Sequence, residues 1–175
     1  MQQLKNKLLR FRTRRAIKKA IQRRTLNYTD AKTIGLLFKV AEEDKHDYIN
    51  TFVHTLKREG KTVEALTYFD RDHDNPYNFK YSFFTDKDIS VLGDIKSESV
   101  QSFMQKNFDY LYCITREDIT VFDHILSKSQ AKCRVGRFEE GKTHLYELML
   151  NFKADTKLDE MIKEIHHYTK AITHN

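Results

Sequence analysis

Two rhythms of apolar residues alternate along this chain. Short unbroken runs, Thr33–Ala41 (TIGLLFKVA), Thr62–Phe69 (TVEALTYF) and Asp109–Thr115 (DYLYCIT), read as buried strands. Between them apolar residues return every three or four positions, the spacing of a helix with one buried face. Tyr48, Ile49, Phe52, Val53 and Leu56 form one such stripe, closed by Gly60 as a C-cap. Val100, Phe103, Met104 and Phe108 form a second, opened by Ser97 and Glu98. Val121, Phe122, Ile125 and Leu126 form a third, and Leu158, Met161, Ile162, Ile165 and Tyr168 a fourth between Lys157 and Ile172.

Further strands are predicted at Phe79–Thr85 (FKYSFFT), suited to an edge, at Cys133–Phe138 and at Leu145–Phe152. The last two flank a hairpin-like turn, Glu139–Lys142 with Gly141, which predicts one antiparallel edge. Asp70–Asn78 holds the single proline and reads as a loop. Strand–helix–strand units with short connections demand parallel pairing and right-handed crossovers. The expected fold is therefore α/β, a three-layer Rossmann-like sandwich with a mostly parallel sheet. It is preceded by a basic helical arm. The arm covers residues 1–29 and a single α/β domain covers 30–175.

Charge changes this picture at the amino-terminal end. No Asp or Glu occurs between Met1 and Thr29, whereas Lys5, Lys7, Arg10, Arg12, Arg14, Arg15, Lys18, Lys19, Arg23 and Arg24 are all cationic. The remaining chain carries more acids than bases, so the overall charge of +6 averages a basic arm and a mildly acidic body. Such asymmetry marks contact with polyanions or anionic surfaces. The arm lacks the apolar core of a secretion signal and the serines of a mitochondrial presequence, and no apolar run is long enough to cross a membrane. Two cysteines, Cys113 and Cys133, both within apolar stretches, cannot make a disulfide framework. The cytosol is the expected location.

Residues Gln2–Arg24 have high helix propensity, with no glycine or proline. Leu4, Leu8 and Phe11 share one stripe, and Ala16, Ile17, Ala20 and Ile21 fall almost opposite. That split suits two short helical pieces, or one helix whose second half docks while the first projects. It suits a membrane surface poorly, since a membrane helix presents one continuous apolar face. Arginines on all sides suit a phosphate backbone.

Three phrases stand together in the body: TIGLLF at 33–38, FDYLYCIT at 108–115 and SKSQAKCRVGRF at 127–138. With them the chain resembles, over nearly its full length, a domain-of-unknown-function family of short bacterial proteins. That resemblance implies a basic arm and a terminal amphipathic helix, and no particular activity. Phe108–Thr115 and Ala131–Gly136 also resemble, more faintly, the amino-terminal Rossmann-like half of heptosyltransferase-type glycosyltransferases. Where those enzymes carry a Gly-Asp acceptor loop after the first strand, this chain has Lys39–Asp44.

Candidate chemistry is sparse. In an open parallel sheet, ligands sit beyond the carboxyl ends of the strands. Asp70, Asp72, His73, Glu117 and Asp118 are expected on that rim, where hard oxygen ligands would suit Mg²⁺ or Mn²⁺. The five glycines stand too far apart for a dinucleotide fingerprint or a phosphate loop. No serine sits in a nucleophile elbow, and neither cysteine has a histidine at zinc-ligand spacing. Tyr77, Phe79, Tyr81, Phe83 and Phe84 could stack bases, but core packing is the more natural use of that aromatic strand. The leading expectation is a non-enzymatic protein without a cofactor, whose arm contacts RNA or a ribonucleoprotein surface. A small enzyme or ligand-binding module using the acidic rim, and peripheral attachment to anionic membrane through Leu4, Leu8 and Phe11, are the alternatives.

Overall fold

A computed structural model describes residues 2–17, 23–39, 43–69, 81–90 and 92–173. Six strands form one sheet: β1 (Thr33–Phe38), β2 (Thr62–Phe69), β3 (Ser82–Thr85), β4 (Tyr110–Ile114), β5 (Cys133–Arg137) and β6 (Leu148–Leu150). Their spatial order is β3-β2-β1-β4-β5-β6, and every pair is parallel. The helices are α1 (Gln2–Ile17), α2 (Glu43–Arg58), α3 (Glu98–Gln105), α4 (Thr120–Lys128) and α5 (Leu158–Lys170). The expected α/β sandwich is thus the observed one, in the doubly wound strand order.

Alternation along the central strands divides the core in two. Ile34, Leu36 and Phe38 of β1 and Tyr110, Tyr112 and Ile114 of β4 face α2 and α5. Leu37, Leu111 and Cys113 face the opposite way, toward α1, α3 and α4. Because both faces are covered, the central strands read as continuous apolar runs, as parallel sheets do. The chain moves outward from β1 to β2 and β3, then returns through α3 to the other side of β1. The carboxyl ends of β1 and β4 therefore flank the point where strand order reverses.

The antiparallel edge is not formed. Gly141 does turn, with φ +82, but the chain continues through a short 3-10 turn at Thr143–Leu145. It then enters β6 parallel to β5. Leu145 is buried, and the Tyr146 ring packs against the α1/α3/α4 face. A hairpin would have left both without cover. Tyr146 also lies over Gly136 so closely that a Cβ there would stand 2.4 Å from the ring. The predicted strand at Leu145–Phe152 shortens accordingly to Leu148–Leu150.

Other boundaries move less. β3 begins at Ser82, with Phe84 buried and Phe83 partly exposed; Tyr77 and Phe79 lie outside the described residues. Phe108 falls beyond α3 yet is buried, its ring packed at a tilt against Phe103. On α5, Thr169 is buried and Tyr168 turns to solvent.

Candidate polyanion interface

Residues Gln2–Ile17 of the basic arm form one helix, α1, and it is docked. Residues at Lys5, Leu9, Arg12, Thr13 and Ala16 turn toward the body, with Leu9 only 2% exposed inside the core beside α3 and α4. The Thr13 hydroxyl donates to the Leu9 carbonyl at 2.8 Å and lies 3.3 Å from His124 Nδ1 on α4. Arg12 grips Asp94 with its two terminal guanidinium nitrogens, and Lys5 Nζ donates to the Asp86 carbonyl at 3.3 Å. Gly93, at φ +77, lets the 92–94 loop sit directly on this helix: an added Cβ would stand 3.3 Å from the Leu9 nitrogen.

This changes the expected layout of the arm. Its first half docks rather than projects, and the stripe Leu4–Leu8–Phe11 is not the buried one. Leu4 and Phe11 are 53% and 57% exposed. One large residue, Leu9, with small or hydrogen-bonded neighbours fits the α4 surface, so apolar count misidentified the docking face. Of the second predicted patch, Ala16 is half-buried, and Ala20 and Ile21 lie outside the described residues.

Closer to β1, Arg23 donates to the carbonyls of Ala131 (2.5 Å) and Ser129 (3.0 Å) and stands 3.6 Å from Glu147. Glu147 is also held by buried Arg134 through a two-pronged contact at 2.8 and 3.0 Å. Arg12 and Arg23 are therefore engaged by the body. Lys7, Arg10, Arg14, Arg15 and Arg24 are exposed and make no ion pair among the described residues. Lys7, Arg10 and Arg14 follow one another at three and four residues along the outward face of α1. Lys18 and Lys19 lie outside the described residues.

Beside this stripe lies a groove of about 810 Å³, the space between α1, the 92–94 loop, α3 and the end of α4. Leu8, Phe11, Ala16 and Leu92 supply its apolar wall, and Arg12, Arg15 and Lys128 its charge. Gln101, Gln105 and Gln130 add amides. Sequence reasoning did not find it, because its walls come from four separate segments.

Of the expected acidic rim, only Glu117 and Asp118 are among the described residues. Asp70, Asp72 and His73 lie outside the described residues. Glu117 and Asp118 share the loop after β4, but each has a basic partner: Lys39 at 2.7 Å for Glu117, and Lys142 for Asp118. Lys142 is also 3.1 Å from Asp123 and 3.2 Å from Glu139. Burial lifts the Asp123 carboxyl to about 6 against the pull of Lys142, with Asp118 and Glu139 adding to the rise. A cavity of about 170 Å³ opens at the strand-order reversal, walled by Lys5, Lys39, Tyr68 and Glu117 among others. Among the described residues no cluster of three or more His, Cys, Asp or Glu is arranged to hold a metal ion.

Cys113 and Cys133 are free and buried, their thiols raised by burial to about 12 and about 11, which suits packing and not nucleophilic attack. A polar cluster at the far edge also escaped the sequence reading. Tyr28 donates to Glu59 at 2.5 Å, His166 Nε2 lies 3.0 Å from the same carboxylate, and Lys170 donates to it at 2.9 Å. It ties the segment before β1 to the ends of α2 and α5.

No described helix is long and apolar enough to cross a membrane. No curated protein and no solved structure matches the chain, so the glycosyltransferase likeness rests on its two phrases alone. The profile of one family does match, over residues 5–172, from the docked basic helix through α5, and the chain belongs to that Family of unknown function (DUF6913).

Proposed function

We propose that this protein is a non-enzymatic RNA-binding protein of the cytosol, engaging RNA, free or on a ribonucleoprotein surface, through the outward face of α1. The observation that carries this reading is the division of labour along one helix. Arg12 and Lys5 are turned inward to polar partners, while Lys7, Arg10, Arg14 and Arg15 stay exposed without a carboxylate partner among the described residues. Long side chains held on a docked helix meet phosphates with less ordering cost than those on a free tail. Two buried, unpaired cysteines are in keeping with a reducing compartment.

The test is binding of a labelled RNA to the full chain and to the Lys7→Ala/Arg10→Ala/Arg14→Ala variant. These side chains are exposed, so the variant keeps its fold, which circular dichroism and thermal unfolding check. At low salt the variant is expected to bind at least tenfold more weakly, since each lost phosphate contact forfeits counterion release. Equal affinity for the two proteins would overturn the assignment.

A further inference from the structure

Resting on that reading, we infer that the groove beside α1 admits unpaired bases, making single-stranded RNA the preferred ligand over duplex. The groove is lined without a single carboxylate among its described residues, although the body as a whole is acidic. Its chemistry has the three parts a single strand needs. Phe11 offers an exposed ring, with the Arg15 guanidinium 5.3 Å from its centroid, the pairing of aromatic and cation on which bases stack. Leu92, 64% exposed at the tip of its loop, extends the apolar surface across the groove. The side-chain amides of Gln105 and Gln130 make no hydrogen bond among the described residues, leaving donors and acceptors for base edges.

Arg15 and Lys128 line the same groove and supply positive charge for the backbone. The outward stripe of Lys7, Arg10 and Arg14 continues that charge along α1. A duplex hides its base faces and would use only the stripe, leaving Phe11 and the amides idle. An anionic membrane would use the charge and the apolar wall, but it has no use for the amides of Gln105 and Gln130 and favours one continuous apolar face. The observations therefore favour an unpaired polynucleotide.

The experiment compares four probes on the full chain: a single-stranded RNA of mixed sequence, the same RNA annealed to its complement, heparin, and vesicles containing anionic phospholipid. Wild type is expected to bind the single strand several-fold more tightly than the duplex. Phe11→Ala is expected to lose about tenfold on the single strand, with no change on duplex or heparin and no change in thermal stability. If single strand and duplex bind alike and Phe11→Ala changes neither, the groove assignment is overturned while RNA binding by α1 stands. If heparin and both RNAs fail to bind, the reading of α1 falls, and the groove assignment falls with it. Binding to vesicles but to neither RNA overturns both in favour of a lipid surface.

Discussion

Asp109, buried just before β4, ties together the entries of three strands. One carboxylate oxygen accepts the backbone N–H groups of Lys32 (2.8 Å) and Thr33 (2.9 Å), and the other accepts Lys132 Nζ at 2.7 Å. It thereby locks the entries of β1, β4 and β5 in register. Burial alone would push this acid up, but the hydrogen bonds from Lys132, Lys32 and Thr33 outweigh it and hold the carboxyl at about 2. A folded-state value below the unfolded one means stability that is complete above about pH 4 and lost as pH falls toward 2. Asp109→Asn keeps the shape and removes the charge, so it is expected to cost about 1.5–3 kcal/mol at pH 7. Urea unfolding at pH 7 and pH 3 measures this: the gap between wild type and variant should narrow at the lower pH. A gap that stays constant would mean that the carboxylate is not what orders these strand entries.

At the scale of elements, α1 and α4 form one unit, and its weak point is a histidine. His124 is buried on α4 against Thr13, and burial, then the nearby positive charges of Lys128 and Arg12, lower it to about 4, with Asp94 opposing them. The ring is neutral when folded and protonates more readily when unfolded. Stability from this site is therefore full above pH 6.5 and lost as pH falls from there toward 4, by roughly 3 kcal/mol at most. Asp123 titrates in the same window with the opposite sign, because its raised value penalises the charged form as pH climbs. The informative comparison is wild type against His124→Asn, which keeps a polar group near Thr13 but carries no proton switch. Wild type should lose stability relative to the variant between pH 7.5 and pH 4.5; parallel profiles would show that His124 takes up its proton as readily folded as unfolded. The sequence made α4 legible, since Val121, Phe122, Ile125 and Leu126 are its buried face, and it made the central strands legible because both of their faces are covered. It made α1 legible as a helix, but not the face by which it docks. There a single leucine and a threonine decide the docking, and the larger apolar stripe faces out. Nor did it disclose the β5–β6 crossover, because a glycine turn looks the same whether the chain folds back or crosses over, and the anchoring of Leu145 and Tyr146 is tertiary.

Across the whole molecule, the cations of the first 24 residues that the structure describes stand in two settings, engaged by the body or exposed, that sequence alone merges into one block. Arg23 caps the carbonyls of Ser129 and Ala131 and joins Arg134 around Glu147, so it closes the α4–β5 turn against the chain leading into β1. Arg10 touches nothing acidic among the described residues and stands on the outward face of α1. If the electrostatic layout serves an external polyanion, these roles separate cleanly. Arg23→Ala leaves buried carbonyls without donors and should lower unfolding stability by about 1–3 kcal/mol, while the dependence of RNA affinity on salt stays as in wild type. Arg10→Ala should leave stability within about 0.5 kcal/mol. It should make the slope of log affinity against log salt shallower by about 0.7 on a single strand. Both quantities come from the same two proteins, by urea unfolding and by titration at several salt concentrations. Should Arg23→Ala flatten the salt slope as much as Arg10→Ala does, the helix would not be the face that meets phosphate. The charge would then act as a diffuse field, with no organised stripe.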